Sequence, residues 1–228
     1  MKKISLISLT LFIICCNSNP NQMIVTGNVD GLRKGTIYLQ KQLDSTIISL
    51  DSTKIKGNSN FKLNTVIDEP DIYYLYLNKD DGDSLNDIIT FFGNKGEINI
   101  NTTLSAFDSS YEISGSKNSE LLREYFSTIR KYNLQNLDLL EIFYNAQISN
   151  NQKTIDSVNK KLESLIKRKY LYSLNFSITN SKNEISPYIA VSQIPDANKY
   201  LLKKVYDTLP ENIKVSKYGK VLMELSVD

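Results

Sequence analysis

Thiols, imidazoles and closely paired carboxylates are the side chains that most often do chemistry, and this sequence of 228 residues is short of the first two. It has no His. A Ser-His-Asp triad, a Cys-His pair and every His-ligated metal site are therefore excluded. The two Cys are adjacent, Cys15 and Cys16, and the chain beyond them has no thiol. Disulfides, CxxC redox chemistry and thiolate nucleophiles are excluded from that body. A two-carboxylate hydrolase is the one common catalytic plan the composition permits, and no motif among the 25 acidic residues singles out a pair. The chain reads as a non-enzyme, with no cofactor and no metal.

Three constellations invite a binding role, each with a plainer reading beside it. Asp80, Asp81, Asp83 and Asp87 crowd carboxylates into one turn, the ligand type that Ca²⁺ prefers. The EF-hand spacing is absent and no Glu closes the loop, so a solvated acidic turn is expected. Tyr73, Tyr74 and Tyr76 form an aromatic patch. Strand alternation puts Tyr74 and Tyr76 on one face with Ile72, and Tyr73 on the other with Leu75. One set would suit stacking on a sugar or other small ligand; the alternative is ordinary sheet packing. Lys153, Lys160 and Lys167 recur every seven residues, with Lys161 and Arg168 beside them. At 100° per residue they share about 120° of a helix surface, opposite the apolar residues. This face would suit anionic headgroups or an acidic protein surface, and the plain alternative is solvation. The balance of 27 basic and 25 acidic residues argues against nucleic acid.

The adjacent Cys have a second meaning. Lys2 and Lys3 precede Ile4–Ile14, a run of apolar residues, Ser and Thr. Eleven helical residues reach roughly 16 Å, short of the about 30 Å hydrocarbon core, so a secretory leader is expected rather than a spanning helix. Ile13-Ile14-Cys15-Cys16 then resembles a lipobox, with the small-residue position filled by Cys15 and lipid placed on Cys16. Residues 1–15 read as a lipoprotein signal peptide and 16–22 as the lipidated Cys and its tether. Acyl anchoring of this kind contributes about 0.8 kcal/mol per buried methylene. No acidic cluster follows the Cys. The expectation is a cell-envelope protein, periplasm-facing and on the outer membrane more than the inner, with the membrane as one partner and an envelope protein as another.

The elements behind these residues divide into two halves. From 23 to 116 the pattern is strand and turn, with eight short apolar runs at about ten-residue spacing. Gly93-Asn94-Lys95-Gly96 reads as a hairpin loop. From 117 to 228 the apolar period becomes helical. Leu122, Phe126, Ile129, Leu137, Leu140 and Phe143 mark one long helix, and Asn150 and Asn151 give a break and a cap. Ile155, Val158, Leu162, Leu165 and Ile166 mark a second, running to about Thr179. Shorter helices follow near 188–193, 198–208 and 216–225, with Pro187, Pro195 and Pro210 each expected at a helix start. The fold class is thus α+β, an N-terminal antiparallel β-sandwich-like domain followed by a C-terminal helical domain. The halves differ in charge. Residues 23–115 hold 8 basic and 13 acidic residues, whereas 116–228 hold 17 and 12. That asymmetry can assist docking, although exposed pairs contribute only about 0–1 kcal/mol each.

The order of these pieces is familiar. Val25-Thr26-Gly27-Asn28-Val29-Asp30-Gly31-Leu32 is followed by Gly35-Thr36-Ile37-Tyr38-Leu39, then Asp51-Ser52-Thr53-Lys54-Ile55-Lys56-Gly57 and Asn60-Phe61-Lys62-Leu63. Next come Glu69-Pro70-Asp71-Ile72-Tyr73-Tyr74-Leu75, Phe91-Phe92-Gly93, Glu97-Ile98-Asn99-Ile100 and Ile113-Ser114-Gly115-Ser116. This resembles the β-rich, DUF4369-like domain at the front of lipid-anchored, Bacteroidetes-type thiol–disulfide oxidoreductases. Those are the TlpA/ResA-like proteins of the AhpC/TSA-thioredoxin group. Ser216-Lys217-Tyr218-Gly219-Lys220 closes a stretch similar to the helical segment that follows there. In that group a thioredoxin domain with CxxC comes next; here the sequence stops at Asp228, and no residue present can carry the redox activity. The resemblance implies the architecture and the envelope location. The leading expectation is a non-catalytic binding or accessory module, with no oligomeric state fixed. Two alternatives stand beside it. One is a truncated oxidoreductase relative working with a separate thioredoxin domain, and the other a binder of a glycan or peptide.

Overall fold

The computed structural model describes residues 21–79 and 87–227. The leader, Cys16 with most of its tether, and Asp80, Asp81 and Asp83 lie outside the described residues. Eight strands come first: β1 (Gln22–Asp30), β2 (Lys34–Leu43), β3 (Thr46–Lys56), β4 (Asn60–Val66), β5 (Asp71–Asn78), β6 (Asp87–Gly93), β7 (Gly96–Thr103) and β8 (Glu112–Ser114). They form two four-stranded sheets, ordered β4-β1-β7-β8 and β3-β2-β5-β6. Alternation explains the burial. In β4, Phe61 and Leu63 are buried while Lys62 and Asn64 are exposed. Val25, Leu63, Ile98 and Ile100 from one sheet meet Ile37, Leu39, Leu75 and Phe91 from the other in a single core. Asp51 ties the sheets together, its carboxylate accepting from Ser52 N and from Asn64 N, both at 2.8 Å.

Two features depart from a plain antiparallel reading. β1 and β7 run parallel, in register from Met23 opposite Gly96 to Asp30 opposite Thr103. The front domain is antiparallel-rich rather than wholly antiparallel. The segment 93–96 is also not a hairpin, because β6 and β7 belong to different sheets. A short Gly-bounded link between two apolar runs has the same sequence pattern whether it turns within a sheet or crosses between sheets. The close parallel pair leaves a mark at Gly27. A Cβ there would lie 1.7 Å from the Ile100 carbonyl oxygen.

Helices α1 (Lys117–Ile148), α2 (Gln152–Thr179), α3 (Ile185–Gln193), α4 (Lys199–Thr208), α5 (Glu211–Lys214) and α6 (Lys217–Ser226) follow. Side chains cap the starts of α1, α2, α4 and α6. Ser116 accepts from Ser119 N for α1, Asn151 from Thr154 N for α2, and Ser216 from Gly219 N for α6. Asn150 takes the left-handed conformation, φ 50°, that breaks α1 from α2. The two long helices form an antiparallel pair tied by Tyr125 OH to Ser173 Oγ at 2.6 Å and by Lys169 Nζ donating to Asn133 Oδ1 at 3.0 Å. Pro210 precedes α5, a short helix that the apolar period did not mark, and the expected helix starts later, at Lys217. Pro187 is the third residue of α3, which begins at Ile185 because Asn118 Oδ1 accepts from Ile185 N at 3.1 Å. Pro195 sits in the turn after α3, so it ends one helix rather than starting another. Among the described residues no helix is long and apolar enough to cross a membrane.

The two halves share a core. Ile72 and Phe92 turn away from the sandwich and pack with Leu121, Leu122, Tyr125, Ile185 and Ile189. Phe92 meets Tyr188 and Tyr218 edge-on at 5.8 and 6.0 Å. Its backbone lies on an edge strand, and α1 closes that edge. Ser119 Oγ accepts from Phe92 N at 3.0 Å, and both Ser116 and Ser119 donate to Phe92 O. A further cluster lies among α2, α3, α4, α5 and α6, including Leu174, Ala190, Leu202, Val205 and Leu222.

Gly27→Ala tests the parallel pairing. The added methyl has no room against backbone, so unfolding free energy should fall by about 3 kcal/mol or more. Urea denaturation measures it; a change under 1 kcal/mol would mean that β1 and β7 are not packed as described.

Candidate functional site at the junction of the halves

Where β5 begins, the chain buries a charge. Asp71 follows Pro70 and is only 3% exposed. A carboxylate in such a place must be paired and hydrogen-bonded. Ile72 N donates to its Oδ1 at 2.9 Å, and Tyr218 OH donates to the same oxygen. Its Oδ2 receives Lys41 Nζ at 2.9 Å and Lys217 Nζ at 2.7 Å. Lys41 comes from β2, within the same sheet. Lys217 and Tyr218 come from the first turn of α6, 146 and 147 residues along the chain. Lys217 N also donates to Glu69 Oε2 at 3.1 Å.

Local structure places each partner. Lys41 Nζ lies 5.2 Å from the centre of the Tyr73 ring, and Lys217 Nζ 5.2 Å from that of Tyr218. Ser216 fixes the start of α6, and the next turn packs tightly on α5. A Cβ at Gly219 would lie 2.1 Å from the Ile213 carbonyl oxygen. That contact holds the Lys217-Tyr218 pair against Asp71. Over the cluster opens a polar cavity of about 290 Å³, walled by Tyr74, Tyr188 and Tyr218 with Gln42 and Asp44 at its rim.

The electrostatics define what this arrangement can do. Burial alone pushes the Asp71 carboxyl up, but the bonds from Lys217, Tyr218, Lys41 and Ile72 N–H outweigh it and hold it below the usual carboxylate value. Burial works against charge on Lys41 too, and its bond and attraction to Asp71 leave it above the usual lysine value. Burial, then the bond to Asp71, pushes the Tyr218 phenol up. At neutral pH Asp71 is therefore ionised, Lys41 charged and Tyr218 protonated. The cluster is a fixed charge array under a polar, aromatic-walled cavity. It can orient a ligand or lock two elements together, and it offers no group poised to exchange protons near pH 7.

The aromatic strand contributes in part. Tyr73 is 2% exposed inside the sandwich core. Tyr74 walls the cavity from the opposite face of β5. Tyr76 shares that face but lies further along, stacked on Tyr38 with ring centres 5.8 Å apart. Lys153, Lys160, Lys161, Lys167 and Arg168 are all exposed on α2 and take no part in the cavity. Asp87 opens β6 and pairs with Lys79 at 2.5 Å. Among the described residues no group of three or more His, Cys, Asp or Glu could hold a metal. The sequence did not single out Asp71 or Lys41. The signal lay in the two segments 69–75 and 216–220, whose facing ends build the cluster.

Residues 23–122 match the family model described as a domain of unknown function (DUF4369). The matched stretch runs into α1 as far as Leu122, beyond the last strand. No curated protein matches the chain.

Removing the carboxylate leaves two lysines facing each other. Asp71→Ala should lower unfolding free energy by about 3–5 kcal/mol, the cost of breaking a buried pair. Lys217→Met should cost less, because Lys41 still neutralises Asp71. The native carboxyl lies below its unfolded value, so its contribution is present above about pH 4 and is lost as pH falls further. Stability of the native chain against pH, compared with Asp71→Asn, reads this directly. Parallel curves below pH 5 would show that Asp71 is not held as described.

Proposed function

We propose that this chain is a lipid-anchored cell-envelope protein that acts as a non-catalytic binding or accessory module. The observation that carries the non-catalytic part is the Asp71 cluster. Asp71 is held ionised and Tyr218 protonated around neutral pH, and Lys217 and Tyr218 join the sheet to α6, which is the behaviour of a positioning and docking element. The absence of His and of any thiol after Cys16 supports the same reading. The lipobox-like Ile13-Ile14-Cys15-Cys16 supports the anchor, and the tether of 16–22 would keep the body within roughly 20 Å of the membrane face. A periplasm-facing position, on the outer membrane more than the inner, goes with that reading.

A second reading draws on the DUF4369 match together with the resemblance of the helical segment. It makes the chain an accessory to a separately encoded thioredoxin-fold protein of the TlpA/ResA-like group. The cavity over Asp71 would then be a contact for that partner rather than for a small ligand.

Two measurements test the proposal. Cys16→Ser should move the protein from the detergent-extracted membrane fraction to the soluble fraction and abolish incorporation of labelled palmitate. Unchanged membrane association would remove the anchor. The purified full chain should show no dithiol-dependent insulin reduction. Turnover without an added thioredoxin would overturn the non-catalytic assignment, and turnover only in its presence would favour the accessory reading.

A further inference from the structure

α1 packs against both sheet edges on its side of the sandwich, β6 and β8, and treats them differently. At β6 it satisfies the backbone of Phe92 with Ser116 and Ser119. At β8 it makes no hydrogen bond to the strand backbone among the described residues. β8 pairs with β7 along one side only, through Asn99 with Ser114, Ile100 with Ile113 and Asn101 with Glu112. Among the described residues the backbone of 112–114 makes no hydrogen bond beyond that ladder. Between this bare edge and the helix lies a cleft of about 480 Å³, larger than the cavity over Asp71.

The walls of the cleft are regular. Tyr111 and Ile113 form the strand side, with Asp108 and Ser109 from the turn before it. Glu120, Arg123, Glu124, Phe126, Ser127 and Arg130 line the helix side, and Glu120, Arg123, Ser127 and Arg130 are spaced to share one helix face. Ten residues of helix rise about 15 Å, the length of four or five extended residues. The charges are ordered along that length. Glu120 stands at one end, 3.7 Å from the exposed Lys117 Nζ, Arg123 and Glu124 follow side by side, and Arg130 stands at the other end with no ion pair among the described residues. Midway, the Arg123 guanidinium lies 5.7 Å from the centre of the Tyr111 ring, leaving exposed Ser127 as the small residue that keeps the cleft open.

We propose that this cleft binds an extended peptide of four or five residues, which adds as a strand to the free edge of β8 and lies under α1. Main-chain bonding to an unpaired edge supplies affinity in such a mode, and side-chain pockets supply specificity. Alternating charge on the helix wall asks for a basic side chain near Glu120 and an acidic one near Arg130, with small or β-branched residues between. A wall of mixed sign is a poor match for an anionic headgroup. The inference rests on the reading of the chain as a binding module, and adds the site and the ligand class.

The test uses the detergent-solubilised full chain, isotope-labelled for amide spectra. The probe is a pool of end-blocked pentapeptides with Lys at one end, Glu at the other and Val, Thr, Ile or Ala between. Saturable binding is expected, with the largest amide shifts at 111–114. Ser127→Trp, which fills the cleft, and Arg130→Glu should each weaken binding at least tenfold. Peptides carrying Lys at both ends should regain affinity for Arg130→Glu. Lys160→Glu, on α2, should change nothing. Both cleft positions are exposed, so an unchanged melting temperature separates lost binding from lost folding. Absence of saturable binding from the pool, shifts centred elsewhere, or indifference to both substitutions would overturn the proposal. Self-association lost in Ser127→Trp would also overturn it, by making a second copy the occupant. None of these outcomes touches palmitate labelling or the insulin assay, so the general function and the cleft fail separately.

Discussion

A carboxylate taken out of water has to be surrounded by donors, and Asp71 meets that demand with groups from three parts of the chain. Its own strand supplies the Ile72 N–H, β2 supplies Lys41, and α6 supplies Lys217 and Tyr218. The first two would be present in an isolated sandwich. The last two arrive only when the helical half is folded and seated, with α6 started by Ser216 and pressed onto α5 at Gly219. The charge at the head of β5 therefore couples the state of the sheet to that of the last helix. Desolvation offsets much of what such a pair gains in net stability, whereas removing one partner leaves a buried charge uncompensated.

Net stability at the junction comes from elsewhere. The acidic front half and basic rear half suggest attraction, yet among the described residues Asp71–Lys217 is the ion pair that crosses between them. What crosses in quantity is apolar surface. Phe92, Leu122 and Tyr125 are fully buried, and each large side chain of this kind contributes about 1.5–3 kcal/mol. The serines at the start of α1 make that burial affordable by pairing the backbone of Phe92, which an edge strand would otherwise leave bare. The halves are docked by aromatics and an edge cap, and aligned by one charge cluster.

Most of the scaffold was legible from periodicity. All eight strands and both long helices sit where alternation and the 3.6-residue period put them, and Asn151 caps α2 at the break that Asn150 makes. What escaped was pairing at a distance. A Gly-bounded link looks the same within a sheet and between sheets, so the crossing at 93–96 and the parallel β1–β7 pair were not visible. The aromatic patch was correctly divided by alternation, but period 2 does not reveal that both faces of β5 are covered. Tyr73 belongs to the sandwich core and Tyr74 to the junction. Asp71 was hidden for the same reason. One Asp among 25 acidic residues acquires meaning only when chain topology brings Lys217 back to it.

The extent of the DUF4369 match fits this physical unit better than it fits the strands. It ends at Leu122, after the serines that cap Phe92 and the two leucines that cover it. A sandwich cut at β8 would leave Phe92 with an unpaired N–H and a bare aromatic face. Including the first turns of α1 repairs the edge, but Ile72, Tyr74 and Asp71 still look outward onto Tyr188, Lys217 and Tyr218. The sheet face is complete only with α3 and α6 in place. The rear half is thus the second wall of the front domain.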